Sequence, residues 1–93
     1  MNMQALMQQA QKMQRDLTIK KDELNKKSFN GTSELVDVVF TGDKKLVSVK
    51  IKGNIDNDDK EIIEDMFVLA VNDAMAKIDK EAESALGQLN GLI

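Results

Sequence analysis

A chain of 93 residues and 10.4 kDa has room for one domain, since single cores take about 100–150 residues. It contains no Cys, His, Trp, Tyr or Pro, which removes disulfides, thiolate metal sites, thiol nucleophiles and the usual general base. No enzyme is expected, and no cofactor, metal or small-molecule substrate. Thirteen basic against sixteen acidic side chains leave −3 overall, but residues 1–27 carry +3, residues 28–53 carry +1 and residues 54–93 carry −7. A polyanion would approach the first third and avoid the last.

The opening Met1-Asn2-Met3-Gln4-Ala5 lacks a basic stretch followed by an apolar core, so no signal peptide is expected. The longest apolar run, Met66 to Val71, is six residues, whereas a membrane-spanning helix needs about 20. A cytoplasmic protein with no membrane partner is the expectation.

A first helix is legible from about 2 to 26. Met3, Leu6, Met7, Ala10, Met13, Leu17 and Leu24 recur at spacings of three, four and seven, within an arc of about 120° on the helical wheel. Asn30-Gly31 breaks that pattern and period two begins. Val36, Val38 and Phe40, then Val47, Val49 and Ile51 after the turn Thr41-Gly42-Asp43-Lys44, predict an antiparallel hairpin. These six form its expected inner face against the helices. Phe29, Gly31 and Ser33 suggest a short strand before it, so the strands lie within about 28–53. The outer face leaves apolar surface at Leu35, Val39 and Leu46.

A second long helix is expected from about 58 to 86, opened by the run Asn57-Asp58-Asp59-Lys60-Glu61, whose acidic residues complement the helix dipole. Gly87 is the expected stop, leaving a short flexible tail over 87–93. The fold class is therefore α+β: a long helix, about three antiparallel strands and a second long helix, in one domain spanning 1–93. Helices this long exceed what three short strands can cover. Projecting helices and an apolar outer sheet face, with Leu35, Val39 and Leu46 at the interface, predict a homodimer.

The acidic run beginning at Asp56 fails as a calcium loop, with Glu61 where Gly is required and Phe67 where a bidentate Glu is required. The pairs Glu64/Asp65 and Glu81/Glu83 have no partner base and read as solvated helix faces. The basic residues of the first helix are more specific. Lys12, Arg15, Lys20, Lys26 and Lys27 fall within an arc of about 140° nearly opposite the apolar stripe, although Asp16 and Glu23 share that arc. Such an arc is either an ordinary solvated face or a phosphate-contacting one. With only three Phe and no other aromatic, stacking on single-stranded bases is disfavoured, and contact with the duplex backbone is the better nucleic-acid reading.

The segment Met3-Gln4-Ala5-Leu6-Met7-Gln8-Gln9-Ala10-Gln11-Lys12-Met13-Gln14 resembles the start of the YbaB/EbfC family of nucleoid-associated proteins. Gly31, Val36-Asp37-Val38 and Gly42, the strand from Val47 to Ile51, and the run from Ile63 to Ala74 with Lys77 following extend the likeness over nearly the whole chain. The resemblance implies a homodimer with tweezer-like projecting helices that binds double-stranded DNA and is associated with the nucleoid. On that basis Lys12 and Arg15, with Lys77 and Lys80 on the second helix, are candidate DNA contacts. Lys20, Lys26 and Lys27 join them from the helical wheel. The alternative is a protein-interaction adaptor that recruits a partner through its Met-rich seam and outer sheet face.

Overall fold

The computed structural model describes residues 2–56 and 59–90. The order is α1 (Met3–Lys26), β1 (Ser28–Thr32), β2 (Val36–Thr41), β3 (Leu46–Ile51) and α2 (Lys60–Asn90). The α+β class expected from the sequence is the one observed. Asn2 caps α1, its side chain accepting from the Gln4 amide at 3.1 Å, as an N-cap amide should. At the other end the Lys27 amide donates to the Glu23 and Leu24 carbonyls. The residues Asn57 and Asp58 and the end of the expected tail, 91–93, lie outside the described residues.

The three strands form an antiparallel meander in the order β1-β2-β3. Period two places Phe29 and Gly31 of β1, and Val36, Val38 and Phe40 of β2, on the buried face. Ala70, Ala74 and Ile78 of α2 and Leu24 of α1 complete the core. Gly31 is where strand and helix touch: a Cβ there would lie 2.0 Å from the Ala70 carbonyl oxygen and 2.7 Å from the Ala74 Cβ. Gly42 makes a second close approach, its absent Cβ falling 1.7 Å from the Leu24 carbonyl oxygen, while its amide donates to Lys27 O at 2.9 Å. The β2–β3 turn is thereby docked on the end of α1.

Two sequence expectations change here. The first concerns the sheet. Val49 and Ile51 stand opposite Val38 and Val36 and so share the inner face, but the main packing of α2 among the described residues is on β1 and β2. All six residues of β3 are exposed, including Val47, Val49 and Ile51. A shift in register between Val39 and Phe40 also sets Leu46 opposite Phe40, rather than with Leu35 and Val39. The second concerns α2, which runs through Gly87 to Asn90. Gly87 keeps a helical backbone without positive φ, because the good helix formers around it offset its cost of about 1 kcal/mol.

The molecule is long, measuring 71 × 19 × 13 Å with a radius of gyration of 19.4 Å; a compact chain of this length has about 12 Å. Half-buried positions on α1 begin at Met13 and recur at Asp16, Leu17 and Lys20 before buried Leu24, the stripe that meets α2. Residues 2–12 are exposed on every side. The first half of α1 therefore stands clear as an arm.

Candidate nucleic-acid interface

The arm is the outward half of α1, a helix whose 24 residues span about 36 Å at 1.5 Å per residue. Lys12 and Arg15 are exposed near its middle and Lys26 in its last turn, where a cation also favours the helix dipole. Lys20 is half-buried in the stripe that faces α2. Among the described residues, Lys12, Arg15, Lys20, Lys26 and Lys80 enter no ion pair within 4.0 Å. Their charges are not cancelled by close partners, the condition a phosphate-binding surface needs.

Lys27 and Lys77 stand differently. The Lys27 ammonium donates to Glu81 Oε1 at 2.5 Å and lies 5.7 Å from the centre of the Phe29 ring. It fastens the end of α1 to α2. Lys77 Nζ donates to the Asn30 carbonyl at 2.8 Å and sits 3.2 Å from Asp73 Oδ2. That same carboxylate oxygen accepts from the Thr32 amide at 3.0 Å. Asp73 and Lys77, one turn apart on α2, together hold the edge strand β1 in place. The seven candidate cations thus divide into five without ion-pair partners and two that tie elements together.

The Thr32 amide, with help from the Lys77 ammonium, holds the Asp73 carboxyl below the usual carboxylate range. On the outer sheet face, hydrogen bonds from the Thr32 hydroxyl and then Lys52 do the same for Asp37. A depressed carboxylate contributes stability above its unfolded value, about 3.9, and loses it as pH falls through the folded value. Thermal midpoints should therefore drop as pH is lowered below about 4. Asp73→Asn should show a shallower acid limb than the wild type; identical limbs in a thermal-melt series would contradict this clamp.

Lys44 was not singled out from the sequence. It occupies the β2–β3 turn with φ 66°, a left-handed conformation that normally calls for Gly or Asn, and pairs with Asp79 of α2 at 3.4 Å. The preceding Asp43 accepts from the Thr41 hydroxyl. The Thr-Gly-Asp sequence marked the turn, but nothing in it marked Lys44 rather than Gly42 as the left-handed residue. Gly42 is needed instead for the close approach to Leu24.

Of the three candidate interface residues, Leu46 is exposed, Val39 is half-buried, and Leu35 is half-buried against the chain's own core. The outer sheet face holds an open hollow, floored by Val38 and Val39 and rimmed by Asp37, Ser48 and Lys50. The Asp37–Lys52 pair at 3.2 Å further polarises it. Among the described residues no helix is long and apolar enough to cross a membrane.

A three-stranded meander with half of one face uncovered, carrying a projecting helix whose cations enter no ion pair among the described residues, defines an α+β binding module. The chain belongs to the YbaB/EbfC DNA-binding family, whose model matches residues 1–93. A nucleoid-associated protein of Ligilactobacillus salivarius is 44% identical over 91 residues, 95% of this chain and 88% of that protein. One of Enterococcus faecalis is 42% identical over 90 residues, 94% and 86% of the two chains. The crystal structure of an uncharacterized protein from Helicobacter pylori superimposes with a TM-score of 0.79 over 96% of this chain and 97% of that one, at 19% identity. That likeness is one of fold.

Proposed function

We propose that this protein is a nucleoid-associated protein that binds duplex DNA mainly through the phosphate backbone, as a homodimer whose α1 arms hold the duplex. The observation that carries the reading is the α1 arm, with Lys12 and Arg15 exposed and free of ion pairs among the described residues. From Lys12 to Lys26 the helix rises about 21 Å, the axial length of about six base pairs. Lys20, Lys26 and Lys80 extend the same charge toward the body. Lys27 and Lys77 contribute by holding the arm and the strand edge, and as secondary charges. The localisation that follows is the nucleoid of a bacterial cytoplasm.

Exposed area supports the dimer. The protomer exposes 7168 Å², against about 5400 Å² for a compact monomer of its mass. A stable dimer covers about 800 Å² on each partner. The unpaired edge strand β3, with Leu46, Val47, Val49 and Ile51 exposed, is the surface we assign to the second copy. Leu35 and Val39 lie at its margin on the adjoining segment. An unpaired apolar edge left in water would be an aggregation site. The adaptor reading is weaker, because the outer hollow is open and its rim carries the charged Asp37, itself paired with Lys52.

Charge removal tests the reading. Lys12→Ala with Arg15→Ala should weaken duplex binding at least tenfold and flatten its salt dependence. Each phosphate left without its cation takes about 0.9 from the slope of log K against log salt. Both side chains are exposed, so the dimer should persist in sedimentation. An unchanged slope would remove the arm from the DNA surface.

A further inference from the structure

Charge accounts for the arm from Lys12 onward but not for its first three turns. Before Asp16 the sequence holds two cations, Lys12 and Arg15, and no carboxylate. The first turn of α1 contains no acidic residue, although one there would stabilise the helix dipole. Beside the apolar Met3, Leu6 and Met7, the polar side chains of these turns are amides. Gln4, Gln8, Gln11 and Arg15 follow the spacing i, i+4, i+7, i+11, which on an α-helix brings them into an arc of about 60°. All four are exposed. The high helix propensity of Gln explains its abundance, but not its alignment with Arg15 along one line of a helix that stands clear of the fold.

We infer that the first three turns of α1 lie in the major groove of duplex DNA, where Gln4, Gln8 and Gln11 read adenine while Arg15 and Lys12 contact the bordering phosphates. The inference rests on the DNA-binding reading above and adds base recognition to it. A helix with its side chains is about 10–12 Å across, and the groove is about 12 Å wide. From Gln4 to Arg15 the rise is about 16 Å, or about five base pairs. The primary amide of Gln donates to adenine N7 and accepts from its N6 amino group, a two-point match that guanine does not offer. Met7, at the margin of the same face, is placed to meet thymine methyl groups. A carboxylate on this face would be repelled by the phosphates on both sides of the groove, which accounts for its absence.

The test compares three labelled duplexes of equal length by fluorescence anisotropy: one A·T-rich, one G·C-rich, and one A·T-rich with 7-deazaadenine, which lacks the N7 acceptor. Wild-type protein should favour the first over both others by about fivefold or more, the discrimination of at least one two-point contact. Gln4→Ala combined with Gln8→Ala and Gln11→Ala should bind all three alike, with an unchanged salt slope and unchanged helical circular dichroism. Equal wild-type affinity for all three duplexes would overturn the inference and leave backbone binding standing. So would an A·T preference that survives in the variant, since groove shape rather than amide contact would then be responsible. Absence of wild-type binding to any duplex at low salt would overturn the DNA-binding reading, and this inference with it.

Discussion

Gly31→Val should lower the thermal unfolding midpoint by about 12–24 °C at fixed protein concentration. A Cβ at residue 31 would sit 2.0 Å from a backbone oxygen of α2 and 2.9 Å from the Ala74 nitrogen. Backbone cannot turn aside as a side chain can, so strand and helix must separate. Overpacking of a core costs about 1–3 kcal/mol and occasionally more, and this junction also carries buried Ala70, Ala74 and Ile78. At about 3 kcal/mol the shift follows, given about 4–8 °C per kcal/mol in a domain of this size. The thermal melt of Gly87→Ala supplies the contrast. Apart from its chain neighbours and the helix's own backbone, nothing among the described residues lies within 4 Å of a Cβ at that position, and the residue is inside a helix, so the substitution should stabilise by about 1 kcal/mol. A Gly31→Val protein that melts with the wild type would refute the packing of β1 on α2 described above.

Val49→Asp combined with Ile51→Asp should convert the proposed dimer to monomer, raising the dimer dissociation constant at least a hundredfold. Both side chains point to the inner face of the sheet yet remain exposed in the protomer, so the substitutions leave the protomer core intact. In a dimer that covers β3, each would bring an unpaired carboxylate into an apolar seam, at a cost of several kcal/mol. Sedimentation at fixed concentration reads the change, and the salt slope of DNA binding should fall to about half as two arms become one. Val39→Asp, on the outer face, should do less. If the double variant stays dimeric while Val39→Asp dissociates it, the second copy covers the outer face instead.

The parts of this fold legible in the sequence were those governed by local pattern. The three-four spacing of Met3 through Leu24 marked α1, and the alternation of Val36, Val38 and Phe40 marked β2, because each element must bury one face. What was not legible depended on how elements meet. Val49 and Ile51 have the same alternation as Val36 and Val38, yet only the latter pair lies under α2; periodicity gives a face, not its cover. The slip that sets Leu46 opposite Phe40 is a property of pairing and leaves no mark in either strand alone. Gly87 looked like a stop because Gly commonly ends helices, but it does so by adopting positive φ, and here it does not.

The candidate site divides in the same way. The helical wheel placed Lys12, Arg15, Lys20, Lys26 and Lys27 on one arc, as the chain's own geometry requires. It could not tell which of them has a carboxylate waiting across the fold. Glu81 lies 54 residues from Lys27 in the chain and 2.5 Å from it in space. Asn30, whose carbonyl holds Lys77, is 47 residues away. Conversely, the exposure of residues 2–12 on every side follows from where α2 ends relative to α1, which neither helix states by itself.

The central claim is that an unpaired basic arm, doubled by dimerisation, holds the backbone of duplex DNA. The most direct measurement is the affinity of the wild-type protein for a labelled duplex over a salt series. Each neutralised phosphate should contribute about −0.9 to the slope of log K against log salt. Lys12 and Arg15 from two protomers, joined by the cations nearer the body, predict a slope of about −4 or steeper. Failure to bind duplex even at low salt would contradict the account, leaving the arc on α1 as an ordinary solvated helix face.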